Sequence, residues 1–252
     1  MIRETRSVPA AGLLLRSLVV QGVWNYRTML GHGFAFALLP TLRRVYRDDP
    51  DGLARAIERH SEHFNAHPYL VPIALGAVAR LETDGEDDEI IRRFRTAVRG
   101  PLGGLGDTLI WATWLPLVAV CSLLLYWSGA PPWGVVLAFT LTYNAGHLGL
   151  RLWGLRLGLD AGRAVGTRLN DVDLASWVHR LQTLLTGGLG LLCGVLLATP
   201  GGLSFTGAGS AWSLLAATAF VAGLVGGHRM WRPAAVLTVC VTGFIGLWGM
   251  LS

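Results

Sequence analysis

The chain has 252 residues, of which 52% are hydrophobic and only 15% are charged. Typical globular domains carry about 25% charged residues, and disordered chains need high charge with low hydrophobicity. The composition therefore excludes a disordered chain and argues against an ordinary cytosolic enzyme. It favours a membrane protein, in keeping with a mean hydropathy of +0.47.

Every one of the 21 basic residues is an arginine. The lack of lysine removes Schiff-base chemistry and the phosphate-binding loop that depends on a lysine. The formal net charge is +5, but the arginines are scattered among apolar runs and form no stripe with aromatic residues. We therefore expect no nucleic-acid partner and attribute the positive charge to the cytoplasmic loops of a membrane protein.

Residues 1–100 hold most of the acidic side chains and are expected to form a cytoplasmic or interfacial helical region. Asp49 and Pro50 are typical of a helix start, and Pro68 is expected to end this helix. On either side lie apolar runs at residues 30–39 and 69–81, which are too short to cross a bilayer. They fit interfacial or re-entrant segments, or helices packed against a partner.

Residues 101–252 are mainly apolar and predict about five transmembrane helices of about 17–21 residues each. The predicted spans are residues 108–128, 132–150, 183–199, 211–228 and 233–251. Connections that carry arginine, such as the predicted loop 151–182, alternate with uncharged ones, so the positive-inside rule puts the N-terminus in the cytoplasm. The predicted fold is an all-α membrane protein, with about five transmembrane helices after the cytoplasmic or interfacial N-terminal region.

Glycines crowd the segment GPLGGLGD at residues 100–107, just before the first predicted span. Without a side chain, Gly100, Gly103, Gly104 and Gly106 would let the backbone approach a ligand or another backbone closely. One interpretation is a substrate-cradling or gating loop at the membrane edge, in which Asp107 accepts hydrogen bonds from sugar hydroxyls. The other is a tight turn in which Asp107 caps the next helix.

Polar residues also follow one another down the end of the second predicted span. Asn144, His147 and Arg151 are spaced three and four residues apart, so they can share one helix face. Polar and ionisable groups inside a span are costly and are candidates for function. The alternative is interfacial anchoring, in which Arg151 extends its guanidinium to the headgroups.

His60, His63 and His67 have a spacing that invites a metal site. The sequence HSEH is not the HExxH motif of metalloproteases, however, and His60 falls on an apolar stripe. We favour structural or capping histidines and predict no metal and no cofactor. The sequence also contains no Ser/His/Asp or Cys/His constellation with supporting spacing, so we expect no catalytic nucleophile in this chain.

Four blocks in chain order carry a family resemblance. They read QGVWNYRTMLGHGFAFALLP (residues 21–40), HSEHFNAHP (60–68), GPLGGLGDTLIW (100–111) and YNAGHLGLRLWGLRLGLDAG (143–162). The first three are similar to the patterns WNYxxMxxxGF…P, HxxFFNTxP and GPLAGIGDxxxW, and the fourth to an asparagine–histidine–arginine block. Together they resemble the IID component of mannose/fructose/sorbose-type phosphotransferase-system (PTS) permeases.

The resemblance implies a partner-dependent transport role in the bacterial cytoplasmic (inner) membrane. A IID subunit pairs with a IIC membrane subunit to translocate a hexose-type sugar, while a cytosolic IIA/IIB phosphocarrier phosphorylates the sugar, and the complex is expected to be oligomeric. Asp107 and Asn144 are candidate ligand-proximal or gate groups, and His147 and Arg151 a candidate polar network beside them. Asn25 and Asn65, in the first two blocks, are further candidates.

Two other functions remain open from the sequence. The chain could be a IID-like regulatory or interaction protein in the membrane without active transport. It could also be a membrane metalloenzyme that uses His60, His63 and His67. Metal analysis would distinguish the second of these from the transport function.

Overall fold

The structure is a computed structural model that describes residues 10–198, in which helices are the only regular elements. The helices in chain order are α1 (Ala10–Ser17), α2 (Gly31–Val45), α3 (Pro50–Ser61), α4 (Val71–Asp84), α5 (Asp88–Gly106), a π-helical segment (Asp107–Trp114), α6 (Leu115–Trp127), α7 (Pro132–Ala161), a short 3-10 turn (Gly162–Ala164), α8 (Val165–Asp171) and α9 (Leu174–Ala198). The predicted spans 211–228 and 233–251 lie outside the described residues.

Helix α3 begins where its sequence predicts. The Asp49 carboxylate accepts a hydrogen bond from the Gly52 N–H at 2.8 Å, and Pro50 occupies the first helical turn. The helix ends at Ser61 and does not continue to Pro68. The intervening chain is extended, because Phe64 exchanges backbone hydrogen bonds with Thr28 and Leu30 at 3.2 and 2.9 Å.

The two short apolar runs form α2 and α4, which are helices of the protein's own core. Phe34 and Leu38 of α2 and Ile73 and Leu75 of α4 are fully buried. Burial within the chain therefore accounts for their apolar character, where the sequence suggested interfacial or re-entrant segments or packing against a partner. Removing these side chains from water supplies about 25 cal/mol for each Å² of apolar surface buried.

Glycines allow α7 to cross α4 at very short range. A Cβ atom on Gly76 would lie 2.5 Å from the carbonyl oxygen of Leu155, and a Cβ on Gly158 would collide with the backbone at Ile73. Real side chains do not tolerate such distances, so the two backbones can meet only at glycine. Gly154 and Gly158 thus form the small-xxx-small pattern that is common where membrane helices cross.

A continuous helix of 40 residues, Asp88–Trp127, comprises α5, the π segment and α6. In the described part of the chain it is the one helix whose length and apolar composition would allow it to cross a membrane. Helices α7 and α9 coincide with the second and third predicted spans, but a helix at these positions does not by itself show a membrane crossing. Five transmembrane helices therefore remain a prediction.

The predicted loop 151–182 is mostly helical. Helix α7 continues to Ala161, and after the 3-10 turn and α8 the chain enters α9 at Leu174. Helix α7 extends this far because Leu155 and Gly158 pack in the core against α4. The arginines between residues 151 and 182 therefore do not all lie in a solvated loop, and Arg151 is only 2% exposed.

Contacts divide the described chain into two compact units that do not follow the predicted boundary at residue 100. One unit holds residues 10–118 and 137–182, and the other holds residues 119–136 and 183–198. Residue 100 lies within α5, which continues without interruption into the π segment. The candidate site described next belongs entirely to the first unit.

Candidate functional site

A cavity of about 170 Å³ brings together residues from three of the four motif blocks. Its lining consists of Gln21, Trp24, Leu30, Asn65, Ala66, His67, Pro68, Gly103 and Asp107. The segment between α1 and α2, the connection between α3 and α4, and the junction of α5 with the π segment each contribute. Two of the predicted site residues, Asn65 and Asp107, therefore meet at one place, as does the predicted loop residue Gly103.

The lining has an exposed rim and a buried floor. Asn65 and Asp107 are exposed, whereas His67 is only 2% exposed and Leu30 only 3%. Asp107 and His67 are the ionisable residues in this lining, and within the described chain no arginine joins them. An anionic ligand would find no arginine in this lining, so the lining is better suited to an uncharged ligand than to an anionic one.

The glycine-rich segment is helical, and this corrects both interpretations of its sequence. Gly100, Gly103, Gly104 and Gly106 lie in the last turns of α5, and the helix continues through Asp107 without a cap or a loop. A Cβ on Gly106 would collide with the ring of His67, whereas Cβ atoms on Gly100 and Gly104 would meet nothing within 4 Å. A close helix–ring contact, and not a flexible loop, is what needs a glycine here.

Asp107 begins the π-helical segment. The buried Thr113 hydroxyl donates to the Thr108 carbonyl, five residues earlier, at 2.7 Å. The π geometry inserts a residue into the helical repeat, and such segments occur frequently at functional sites. The chain therefore changes its helical register at the residue that the sequence singles out as a ligand-proximal group.

Besides Trp24, sequence reasoning missed His67 as a residue of this cavity. Its Nδ1 accepts a hydrogen bond from the Tyr69 N–H at 3.2 Å, and burial lowers the pKa of its imidazole to about 4. The sequence offered His67 only as a possible metal ligand, and the family pattern HxxFFNTxP leaves its position unspecified. No signal in the sequence placed it beside Asp107.

A second polar network surrounds Arg151. Its guanidinium donates to the His147 Nε2 at 2.6 Å and to the Ser17 carbonyl at 2.6 Å. The His147 ring stacks on Tyr69 with 3.9 Å between ring centroids, and the Tyr69 and Tyr143 hydroxyls are 3.0 Å apart. Arg151 is therefore buried and bonded to α1, whereas the alternative had placed it at the headgroups.

Asn25 and Asn144 lie outside the lining. The Asn25 Oδ1 accepts hydrogen bonds from the Arg27 and Thr28 N–H groups at 3.0 and 2.9 Å, which closes a local turn. The Asn144 amide donates to the Thr140 carbonyl of its own helix at 2.8 Å and is exposed. These two positions are therefore separate from the place where Asn65 and Asp107 meet.

Buried ionic contacts form a third group, centred on Glu82. Its Oε1 accepts from Arg59 and His60, each at 2.6 Å, and its Oε2 accepts from the Tyr46 hydroxyl at 2.8 Å. Arg59 also reaches Asp88 at 2.5 Å. These contacts, together with the cationic Arg59, hold the pKa of Glu82 at about 2 against the opposing effect of burial, and burial lowers the pKa of His60 to about 4.

The three histidines therefore have different surroundings. His60 is bonded to Glu82, the exposed His63 faces Arg99 at 3.1 Å, and His67 lines the cavity. In residues 10–198 no three His, Cys, Asp or Glu side chains are grouped so that they could hold a metal ion. The described chain thus offers no observation that favours the metalloenzyme hypothesis.

Comparisons with known proteins agree with the motif blocks. A model of the PTS system mannose/fructose/sorbose family IID component matches residues 10–198. The mannose-specific EIID component of Escherichia coli (strain K12) is 34% identical over 156 residues, which make up 60% of this chain and 54% of the relative. The fructose permease IID component of Bacillus subtilis (strain 168) is 30% identical over 184 residues, 69% of this chain and 62% of the relative.

Solved structures give a similar result. A cryoEM structure of the mannose transporter ManYZ in complex with microcin E492 has a chain with a TM-score of 0.59 and 28% identity, covering 78% of this chain and 73% of that one. A structure described only as a membrane protein gives a TM-score of 0.67 at 28% identity, covering 76% and 71%. The chain spans about half the length of the first curated relatives it matches.

Proposed function

Because the chain belongs to the mannose/fructose/sorbose family of PTS IID components, we propose that it is a membrane subunit of a sugar-translocating complex and that the cavity around Asp107 binds the sugar. A IIC membrane subunit would complete the translocation unit, and a cytosolic IIA/IIB phosphocarrier would phosphorylate the sugar. The chain itself would bind and admit the sugar, without forming a phosphorylated intermediate.

The observation that carries this proposal is the chemistry of the cavity lining. Asp107 and Asn65 offer oxygen and amide groups at the rim, and Trp24 offers an apolar ring beside them. This combination suits the hydroxyls and the C–H surface of a neutral sugar. The product, a sugar phosphate, carries an anionic group that Asp107 would repel, so the cavity suits the sugar before phosphorylation.

The network around Arg151 supports a positioning role next to the cavity. Tyr69 stacks on His147 and contacts the Arg151 guanidinium, with 5.2 Å from that group to the ring centroid, and the Tyr69 N–H bonds to His67. Arg151 and His147 would thus hold the segment that carries His67. Asn25 would shape the turn before α2, and Asn144, exposed on α7, would face a partner or a ligand from outside this cavity.

We also propose about five crossings of the membrane with the N-terminus in the cytoplasm. The 40-residue helix Asp88–Trp127 and the alternation of arginine-rich and uncharged connections support this arrangement. In a variant without the native cysteines, a membrane-impermeant thiol reagent should label Ser128→Cys from outside intact cells and should not label Asp84→Cys. The reverse labelling pattern would contradict the proposed orientation.

Sugar uptake driven by phosphoenolpyruvate tests the transport role. With the complex assembled, Asp107→Ala should lower kcat/KM at least tenfold, because hydrogen bonds to a charged group contribute about 1.5–3 kcal/mol. Asp160→Ala, which removes an exposed carboxylate outside the cavity, is the control. Unchanged uptake in Asp107→Ala would remove this residue from the site. A native complex that moves no sugar would favour the regulatory or interaction role.

A further inference from the structure

The imidazole ring of His67 is tightly packed on the floor of the cavity. A Cβ on Gly106 would collide with the His67 Cβ and Cγ, so the helix backbone lies directly against the ring. Tyr69 and Trp111 contact the ring edge-on, with 5.1 and 5.7 Å between ring centroids. These contacts on several sides limit the orientations that the imidazole can adopt.

The hydrogen bond from Tyr69 determines which nitrogen of His67 carries the proton. A backbone N–H can only donate, so the His67 Nδ1 that receives it at 3.2 Å must be unprotonated. Burial favours the neutral imidazole, and in the neutral ring the proton must then lie on Nε2. The His67 Nε2 is therefore an N–H donor.

This donor has no hydrogen-bond partner in the described part of the chain. The His67 Nε2 is buried, and neither Asp107 nor Asn65 accepts its proton, although all three residues line the same cavity. A buried donor without a partner costs free energy that most sites in proteins avoid. The unpaired N–H of His67 lies in the lining of a cavity that could hold a ligand. It therefore indicates that the ligand itself supplies the hydrogen-bond acceptor.

We propose that His67 determines which sugars the site accepts, by donating a hydrogen bond from Nε2 to one hydroxyl oxygen of the bound sugar. The proposal rests on the proposed function, because it assigns one contact within the same cavity. His67 supplies a fixed donor and Asp107 a fixed acceptor, so together they match the two hydrogen-bonding abilities of sugar hydroxyls. A sugar that lacks the contacted hydroxyl would leave the buried N–H unpaired and would bind less well.

Three variants of the assembled complex separate the donor from the ring. His67→Gln keeps an N–H donor near the place of Nε2, His67→Phe keeps a ring of similar size without a donor, and His67→Leu is a smaller variant without a donor. His63→Phe is the matched control, because His63 is exposed and lies outside the cavity lining. Co-purification with the membrane partner shows which variants assemble.

The measurement is the Kd of mannose, fructose and sorbose for the purified complex, followed by each monodeoxy analogue of the sugar that binds. In the native complex, removing one particular hydroxyl should weaken binding about tenfold, as expected for one lost hydrogen bond. In His67→Phe or His67→Leu the same removal should change Kd less than about twofold, because the donor is already gone. His67→Gln should keep most of the discrimination, and His63→Phe all of it.

Two results would overturn the proposal in distinguishable ways. If the native complex binds a sugar and every analogue loses the same factor in the donorless variants as in the native complex, His67 makes no contact with a hydroxyl. The proposed function would then still stand on the Asp107 result. If the native complex binds none of the three sugars, the proposed function fails and the assignment of His67 fails with it.

Discussion

The Glu82 cluster and the cavity each contain a buried histidine, but they use it differently. The proton-bearing Nε2 of His60 donates to Glu82 at 2.6 Å, and the nitrogen that it leaves without a partner is the acceptor Nδ1. In His67 the situation is reversed, since Nδ1 is bonded and the donor Nε2 is left over. Unpaired acceptors are tolerated more readily in protein interiors than unpaired donors. Burial of a histidine alone therefore does not mark a binding group, and the proposal for His67 depends on an unpaired donor that also lines a cavity.

The cluster joins four helical elements, three of them through the Glu82 carboxylate and the fourth, α5, through its contacts with α3. Tyr46 follows α2, Arg59 and His60 belong to α3, Glu82 belongs to α4, and Arg95 of α5 donates to the carbonyls of Arg59 and His60. Most of its polar atoms are engaged with one another, although the His60 Nδ1, the Arg59 Nε and the Arg95 Nε have no hydrogen-bond partner in the described chain. The cluster holds in place the helices that flank the residue 65–68 segment, while the cavity formed by that segment keeps its polar groups available.

Of the substitutions that test this comparison, Glu82→Ala should have the largest effect, a loss of folding stability. The substitution removes the buried carboxylate partner of Arg59, which keeps only the exposed Asp88, and it removes the acceptor of His60. Losing one partner of a buried ion pair costs about 3–5 kcal/mol. We expect a complex that fails to accumulate or unfolds at a markedly lower temperature. Glu89→Ala, which breaks only the exposed pair with Arg93, should change stability by less than about 1 kcal/mol. Equal stability of the two variants would show that the cluster does not hold the helices.

Acid should weaken the cluster next. The pKa of His60 is about 4 in the folded chain against an ordinary 6.5, so below pH 6.5 the unfolded chain binds a proton that the folded chain does not. Its contribution, about 3 kcal/mol, is present above pH 6.5 and is lost as the pH falls towards 4. Glu82, with a pKa of about 2 against 4.5, continues the loss below pH 4.5.

Thermal unfolding of the complex across this pH range measures the effect. His60→Gln retains a donor for Glu82 but cannot titrate, so the fall in stability between pH 6.5 and 4 should become shallower. His67, whose pKa is also lowered to about 4 by burial, titrates in the same range, and His67→Gln measures its share. If stability falls with pH as steeply in His60→Gln as in the native complex, protonation of His60 is not the cause of that fall.

A matched pair of glycines should distinguish the cavity side from the open side of α5. Gly106→Ala puts a methyl group against the His67 ring, and overpacking of this kind costs about 1–3 kcal/mol. Gly104→Ala meets nothing within 4 Å, so the better helix propensity of alanine should leave stability unchanged or raise it by about 0.5–1 kcal/mol. Unfolding temperature and sugar affinity are the readouts. If the two variants have the same unfolding temperature and the same sugar affinity, the close Gly106–His67 contact does not require a glycine.

The smallest effect is expected from Asn144→Ala. Among residues 10–198 its amide bonds only to the carbonyl of Thr140 in its own helix, and its side chain is exposed, so stability should change by less than about 0.5 kcal/mol. Sugar affinity should also stay near the native value, because Asn144 does not line the cavity. A loss of uptake with an unchanged Kd would instead identify Asn144 as a contact to the membrane partner.

Local features of the sequence predicted some parts of the fold correctly. Asp49 and Pro50 begin α3 as expected, because a helix cap needs only residues that are close in the chain. The end of α3 was predicted too late, since Phe64 pairs with Thr28 and Leu30 in a segment distant in sequence. The glycines at 100–106 were interpreted as a loop or turn because composition does not distinguish a flexible backbone from a close contact.

The sequence by itself determined the family, the helical character and the polar groups available for binding, since motif spacing, apolar periodicity and charge are properties of the chain order. Only the tertiary structure decided that Asn65, His67 and Asp107 line one cavity and that Arg151 is bonded to α1. It also decided that the Gly106 backbone packs directly against the His67 ring. These relations join residues far apart in the chain. The hydrogen-bonding ability left to a buried histidine also depends on which of its two nitrogens already has a partner, and the packing around the ring determines which nitrogen that is.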